Sequence, residues 1–583
     1  MRVGVPFVTT TLFRFAAAAL VLAGTAAAAP LASQGRDSIR ALRTAQSAQA
    51  AFESRRRAAL PITGGLYSYA RHESIGRIAY YHNESDTPPS DPPSVKQARD
   101  HLLEELASAA RNAGSDPWIA GQRVRYLVEA ERHDDAIAAA RECRASGWWC
   151  DALLGVALHE HGEFADAEAT FRRALAAMPD AERCRFTDIR VLLVGDVRER
   201  YEKTPCAARD SLDAHIWWLS QPLYSIGAND RRTEHYSRVM LTRLQENAKT
   251  TIGMTMGDDL AESWVRYGWP RHFSQATPLT SSTLGGPPSN VIEHETAPAF
   301  PFLPASRAIA NPFAADASDW RLDDEAPHSR YGPSYARTFA ALPYSILLFK
   351  RGDSAVVVAA YDFSRDTALR RAASDTGLSA ALAITRDAAA PPEVSRDVKR
   401  EGTRGIVVAH TAWSPFLASV EVLSRDRRAV ARGRAGVRLP PGDGVTLSGL
   451  ALLRDSLPDT PTLESAIGAM RTSDRVRRDE RLGLYWEVYG LDRDTSDAAV
   501  SVTVTPVGRG WLLRATDALG ITAPSVPARF IFSQQHDGTA DHGTGTLVLG
   551  LKELEPGRYR IDVIITSAGA ERGRVSRDIE LIP

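Results

Sequence analysis

Cysteine is scarce, with four residues in 583, at positions 143, 150, 184 and 206. That excludes a disulfide-dense small scaffold. None precedes Cys143, so the amino-terminal segment has no residue for lipid attachment. An excess of either charge is missing as well. Lys and Arg number 70 against 71 Asp and Glu, so no global field collects nucleic acid or an anionic membrane surface. Beyond the amino terminus no apolar run approaches the ~20 residues that cross a bilayer. The chain also lacks a G-x-S-x-G elbow, H-E-x-x-H, a phosphate-binding G-x-x-x-x-G-K loop and C-x-x-C, which removes the commonest catalytic and zinc signatures. The glycines of "GTGTLVLG" sit in strand-like sequence with no helix after them. No catalytic residue, cofactor or metal site is assigned.

What is present is ordinary for folded protein: 44% hydrophobic and 24% charged residues, 41 Gly and 34 Pro. A collagen-like or wholly disordered chain is excluded, and the length suggests about four units of roughly 150 residues. Arg2 and Arg14, the apolar Phe15–Ala23 and the small residues Gly24–Ala29 follow the three-part pattern of a secretory signal. Cleavage is expected near Ala27–Ala29, after Ala27 or Ala28, because Pro30 adapts its backbone poorly. The mature chain is then exported, periplasmic or secreted, with no transmembrane span. In an oxidising compartment the four cysteines form disulfides. Three pairings exist, and the local one, Cys143–Cys150 with Cys184–Cys206, is favoured because each partner lies near a helix end.

The composition changes near residue 275. Before it Ala, Leu, Arg and Glu recur at helical spacing, with helices expected at Ser38–Leu60 and Val95–Asn112; after it come Pro/Gly-rich sequence and β-branched alternation. The clearest segment is Ala152–Asp180. Leu154, Gly155, Leu158, Gly162, Phe164, Ala167, Phe171, Ala174 and Pro179 occupy the places that pack a pair of antiparallel helices. Gly155 and Ala167 are small where the helices approach, Leu158 and Phe171 fill the space between them, and Pro179 ends the second helix. This segment resembles a tetratricopeptide repeat (TPR). Upstream, Ala136 and Ala140 take the places of Ala167 and Phe171 in a shorter, degenerate copy. One repeat cannot bury its apolar face, so neighbouring helices stack on it, with Trp118, Trp148 and Trp149 read as inter-helix packing.

Between Leu212 and Gln275 the chain has a tryptophan-bearing segment, an acidic/basic helix, Gly253-Met254-Thr255-Met256-Gly257, then Asp258, Asp259 and Arg266-Tyr267-Gly268-Trp269-Pro270. This stretch resembles the GWxTD domain of exported bacterial proteins, in which the motif precedes a strand ending in R-Y-G-x-P. Here Gly253–Gly257 replaces Gly-Trp-x-Thr-Asp. The resemblance implies architecture, often continued by β-rich modules, and no established reaction.

The proline-rich Thr277–Tyr331 reads as a linker or strap, with Phe300 and Phe302 placed to dock on a neighbour. Two strand-rich units follow. The first has a hairpin about Arg351-Gly352-Asp353 and another about Arg425–Arg427; the second begins with "LGLYWEVYGL" and ends with Tyr559, Ile561, Val563 and Ile565 on one strand face. Leu554-x-Pro556-Gly557-x-Tyr559 resembles a tyrosine corner. The expected fold class is therefore multidomain α + β: an amino-terminal TPR-like array of α-helical hairpins, then two antiparallel β-sandwiches of immunoglobulin or fibronectin type. The segments are 1–29 signal, 30–115 helical, 116–180 TPR-like, 181–276 GWxTD-like, 277–335 linker, 336–456 sandwich, 457–476 linker with a short helix, and 477–583 sandwich.

Three side-chain groups bear on chemistry. His159-Glu160-His161 reads as helix surface, since residues two apart diverge. Asp258 reads as accepting free amides at a helix start, with Asp259 and Glu262 complementing the dipole. His294-Glu295 has no visible partner. Basic runs such as Arg55-Arg56-Arg57 and Arg475–Arg481 read as compensated, solvated surface. The expected function is a non-catalytic interaction and scaffold protein of the bacterial envelope, holding an unidentified protein or peptide on its stacked hairpins, with exposed β-sandwich edges adding a second contact by strand pairing. The alternatives are an exported hydrolase, which needs Asp258, Asp259, Glu262 and His235 or His272 in one pocket, and a carbohydrate- or surface-binding module using an exposed strip of Tyr485, Trp486 and Tyr489.

Overall fold

Proline sets where two of the amino-terminal helices begin, and a capping aspartate supports one of them. Pro93 opens the helix Pro93–Asn112, and Pro117 opens Pro117–Glu129, where Asp116 accepts the amides of Trp118 and Ile119 at 2.9 and 3.0 Å. The computed structural model describes residues 17–63, 72–81, 89–276, 291–294 and 298–583, less 377, 398, 425, 427, 441–443, 455–460, 491–498, 508–527, 534–541 and 568–569. Arg2, Arg14, Glu295, most of 277–297 and the turn residues Arg425 and Arg427 lie outside the described residues.

The chain divides into two discontinuous units, Met1–Val191 with Arg232–Ala297, and Leu192–Arg231 with Pro298–Pro583. The span 181–276, read as one region, is therefore shared between them. Among the described residues no helix is long and apolar enough to cross a membrane.

In the first unit a long helix, Ala17–Ala58, precedes Pro93–Asn112 and two helical hairpins, Pro117–Glu129 with His133–Arg141 and Gly147–His161 with Phe164–Ala177. The two hairpins repeat at an offset of 31 residues. Both first helices end in the same left-handed cap: Gly162 has φ 90° and Glu131 has φ 58°. Arg132 N–H bonds Leu127 O at 2.9 Å, as Glu163 N–H bonds Leu158 O at 2.9 Å, the six-to-one bond that closes a helix carboxyl end. Glycine adopts this conformation freely, whereas a side chain is strained there. Glu131→Gly is accordingly expected to stabilise the first unit by about 1 kcal/mol, read as a rise in the urea midpoint without a change in slope. An unchanged or lowered midpoint would refute the strain.

Gly155 lies against the ring of Phe171, where an added Cβ would stand 2.9 Å from ring carbons. In the upstream hairpin the same positions carry Val124 and Ala140, so the large and small residues are exchanged. Leu158, Phe164, Ala167 and Ala174 are buried, Leu154 is half-buried, and Pro179 lies exposed after the cap residue Met178. All four cysteines are oxidised. Cys143 and Cys150 form one disulfide with Cα atoms 5.6 Å apart, and Cys184 and Cys206 are also disulfide-bonded.

The second unit holds two pairs of face-to-face sheets. The first pairs strands ordered Glu393–Arg396, Ser379–Thr385, Phe416–Ser424, Ala429–Val437, Thr338–Ala341 with strands ordered Lys399–Glu401, Arg404–Ala412, Ser354–Asp362, Tyr344–Arg351. Val357, Ala359, Leu382, Val407, Val420 and Ala431 pack between them. In the second pair, Arg481–Tyr489 with Thr446–Leu447, Ala451–Leu453 and His542–Gly550 faces the sheet built on Ala499–Pro506, Gly557–Ser567 and Ala570–Ile582. Leu484, Trp486 and Val488 meet Tyr559, Ile561 and Val563 there. The sheets are not purely antiparallel, because Ala429–Val437 pairs parallel with Thr338–Ala341 and Arg475–Arg477 parallel with Ala570–Ile582. Tyr559 Oη donates to Glu555 O at 2.8 Å, the tether of a tyrosine corner.

A third core joins the two sheet pairs. Leu347, Phe349, Val358 and Ile406 of the first pack against Met470 and Tyr485 of the second. The passage 298–335, read as linker, is instead ordered cover. Phe302 and Tyr331 are buried against Phe339 and Val430, and Trp320 Nε1 donates to Leu219 O at 3.1 Å. Its prolines exclude regular strands but leave its aromatic rings free to bury.

Candidate functional site

The helix Asp230–Gln245 is polar in sequence yet almost wholly buried, and from Arg232 onward it belongs to the first unit. It packs along the first helices of both hairpins. Gly121 allows the closest approach, since a Cβ there would stand 2.3 Å from a Leu244 methyl, and Gln122 Nε2 donates to Leu244 O at 2.8 Å. At the other end His159 bonds Thr233 Oγ1 at 2.8 Å and Glu234 Oε2 at 2.7 Å, and Phe171 meets Tyr236 with ring centroids 5.5 Å apart. Arg232 pairs with Glu168, and Arg243 with Glu182 at 2.9 Å. Burial opposes the charge of Glu234, but Arg238 and His159 outweigh it and hold the carboxyl well below its usual range.

This arrangement corrects the reading of His159-Glu160-His161 as surface. His159 is buried, Glu160 pairs with Arg271, and only His161 stays partly exposed. Thr233, His159 and Glu234 resemble a nucleophile, base and orienting acid by distance alone. All three are buried, and they fasten one helix to another. Arg56, likewise read as solvated, is fully buried and pairs with Glu129, while Glu53 accepts from Tyr126 Oη and from Thr251 Oγ1 at 2.5 Å.

The residues about Asp258–Pro270 serve a second internal joint. Arg266 and Tyr267 close the helix Asp258–Tyr267; they do not lie on a strand. Arg266 Nη2 reaches both oxygens of Glu73 at 2.7 Å, and Tyr267 stacks on Tyr80 with centroids 3.6 Å apart. Both partners lie on the hairpin His72–Ile75/Ile78–Tyr81. The cap of this helix is Gly257, with no side-chain cap bond, so the role expected of Asp258 is not realised. Asp259 instead meets the Arg77 guanidinium at 2.6 and 2.7 Å, and that bond holds its carboxyl well below the usual range. Gly253 and Gly268 take positive φ of 74° and 123°; a Cβ on Gly253 would strike the Arg57 guanidinium. Trp269 and Pro270 are buried.

Of the residues that a hydrolase would need, Asp259 and Glu262 are taken by different arginines. Glu262 bonds Arg266 at 3.0 Å, His235 is fully buried, and His272 sits on the strand His272–Ala276 near the charges of Asp91, Arg99 and Glu131. Among the described residues no group of three or more His, Cys, Asp or Glu is placed to hold a metal ion. Two features escaped sequence reasoning. Ser274 Oγ lies 2.7 Å from His294 Nε2, but the serine is fully buried and also bonded to Thr63 Oγ1 at 2.8 Å. Glu293, bonded by Trp264 Nε1 at 3.3 Å, is pushed up to about 7 by burial. A groove of about 550 Å³ between Ala17–Ala58 and Pro93–Asn112 is lined by Phe52, Arg55, His101 and Leu102 among others, with no carboxylate. Tyr485, Trp486 and Tyr489 are buried and form no exposed aromatic strip.

No protein-family model matches the chain, and no curated protein matches it. Among solved structures, red sea bream transglutaminase aligns over 42% of this chain and 32% of its own length, with 8% identity and a TM-score of 0.12. The chain thus spans about a third of that protein, and so low a score carries no argument about fold or activity.

Proposed function

We propose that this is an exported scaffold protein of the bacterial envelope, built of TPR-like hairpins and immunoglobulin-like sandwiches, that works by binding protein segments and not by catalysis. The observation that carries the reading is the helix Asp230–Gln245 lying along the hairpins. A repeat-type array that grips a helix by a side-chain amide donated to its backbone, a buried histidine and flanking ion pairs has the chemistry of helix-in-groove recognition. Oxidised cysteines fit export, and the amino-terminal pattern is read as the signal that directs it.

Because the first helices of the hairpins already hold a segment of the chain itself, a foreign partner binds on the outer face of Phe164–Ala177, where Arg172 and Arg173 are exposed. A photo-crosslinking residue at Arg172 in the exported full-length chain is expected to give one discrete adduct in intact cells. Its absence, with the same residue at an exposed sandwich position equally silent, would count against the scaffold reading.

A further inference from the structure

The outer face of the first sheet pair is charged and yet buried. On Ala429–Val437, Arg432 and Arg434 share one face; opposite them on Phe416–Ser424 stand Glu421 and Ser419. On the next strand Ala381 and Ala383 complete that face and add no side-chain polar atom. Arg432 is 3% exposed and Arg434 1%.

The polar atoms there are largely committed. Glu421 accepts the amides of Tyr224 and Ser225, each at 2.9 Å, and the hydroxyl of Ser419 at 2.7 Å. Arg432 Nη1 donates to Pro222 O at 2.8 Å and Gln221 O at 3.3 Å, and Arg434 Nη1 donates to Leu219 O at 3.1 Å. The guanidinium of Arg434 lies 3.9 Å from the centre of the Tyr224 ring, and that of Arg432 lies between Phe302 and Phe339 at 5.6 and 5.5 Å.

Two things are left over. The Nη2 atoms of Arg432 and Arg434 are both buried without a hydrogen-bond partner, and two cations face one carboxylate, whose closest ion-pair approach is 3.8 Å to Arg434 Nη2. Neighbouring carboxylates are otherwise engaged, Asp319 with Arg307 and Asp230 with the Tyr335 hydroxyl. A buried charge without a counter-charge costs several kcal/mol. A water molecule satisfies the N–H groups and leaves the net charge, whereas a small monovalent anion satisfies both. Burial and the adjacent Arg434 push Arg432 down to about 9, in line with uncompensated positive charge.

We propose that Arg432 and Arg434 hold a small inorganic anion, chloride under ordinary salt conditions, on their Nη2 groups that lack a hydrogen bond, and that it helps fasten the segment Leu219–Ser225 to the sheet. Crystals of the full chain grown in sodium bromide test this directly. Bromide anomalous density touching both Nη2 atoms is expected; an ordered water without anomalous signal, or no density, overturns the proposal.

Thermal unfolding gives an independent reading in solution. Replacing gluconate by chloride at constant ionic strength should raise the unfolding midpoint with the logarithm of chloride concentration, by on the order of 5 °C at a hundredfold excess over the dissociation constant. Arg432→Met should abolish that dependence. A midpoint indifferent to the anion in the unsubstituted chain contradicts the site, and since this arm needs no variant, misfolding of Arg432→Met leaves the decision intact.

Discussion

Arg351→Met is expected to destabilise the paired sandwiches by about 3 kcal/mol. Arg351 reaches from the hairpin Tyr344–Arg351/Ser354–Asp362 to Glu487 on the other sheet pair, with contacts of 2.6 and 2.8 Å to the two carboxylate oxygens. Tyr485 Oη and Tyr489 Oη donate to the same carboxylate at 2.7 and 2.6 Å, and Tyr489 Oη accepts the Lys350 amide at 2.9 Å. Glu487 is 0% exposed, so removing the guanidinium leaves a buried carboxylate with two phenol donors and only the His542 imidazole, 3.7 Å from Oε1, as a counter-charge when that ring is protonated.

The pH dependence distinguishes this origin from lost packing. Burial pushes Glu487 up, but Arg351 and the tyrosine hydroxyls outweigh it and hold the carboxyl below its ordinary value. A group depressed in this way contributes stability above its unfolded pKa of about 4.3, and that stability is lost as pH falls through the lower folded value. Once the arginine is gone the sign reverses. The folded-state carboxyl then prefers its proton, so the deficit of the variant should be larger at pH 8 than at pH 5. Denaturant unfolding at the two pH values measures it, and a deficit of equal size at both would assign the effect to packing alone.

Phe171→Ala is expected to cost about 3–5 kcal/mol in the first unit, the range for emptying a fully buried phenylalanine site. Gly155→Val alone should cost about 1–3 kcal/mol by overpacking the same space. Together they rebuild the pair found 31 residues upstream, Val124 with Ala140. The double variant should therefore be more stable than the sum of the two losses by over 1 kcal/mol. Recovery stays incomplete because Phe171 also touches Tyr236, which the upstream pair does not reproduce. Strict additivity in a double-mutant cycle would show that Gly155 and Phe171 do not share the space.

These two cases also mark how far the residues alone reveal the fold. The hairpin Gly147–Ala177 was legible because small and large residues recur at fixed spacing, and each has a steric consequence that shows in the contact of Gly155 with Phe171. The hairpin about Gly352 and the tether of Tyr559 were legible for a similar reason, since turn residues and a phenol four residues from its acceptor act locally. Burial of charge was not legible. Alternation assigns Glu421, Arg432, Arg434 and Glu487 to water because every second strand residue is polar. What covers them comes from about 200 positions away, as with Tyr224 on Glu421, or from another sheet pair. The one local hint was Ala381 and Ala383, alanines where a solvated strand face usually carries longer polar side chains.

The helix Asp230–Gln245 failed the same way. Its sequence, DRRTEHYSRVMLTRLQ, has too few apolar residues to announce burial, and its polar atoms are matched instead by His159, Glu168, Glu182 and Gln122. An array expected to be open to a foreign peptide thus holds its own chain.

Amide hydrogen exchange across Thr233–Gln245 in the intact, oxidised protein tests that most directly. If this helix fills the face of the hairpins, its amides should be protected as strongly as those of Gly147–His161 and should lose that protection together with them in Phe171→Ala. Exchange at loop rates in Thr233–Gln245, while the hairpin helices stay protected, would mean that the array stands open and would contradict the account.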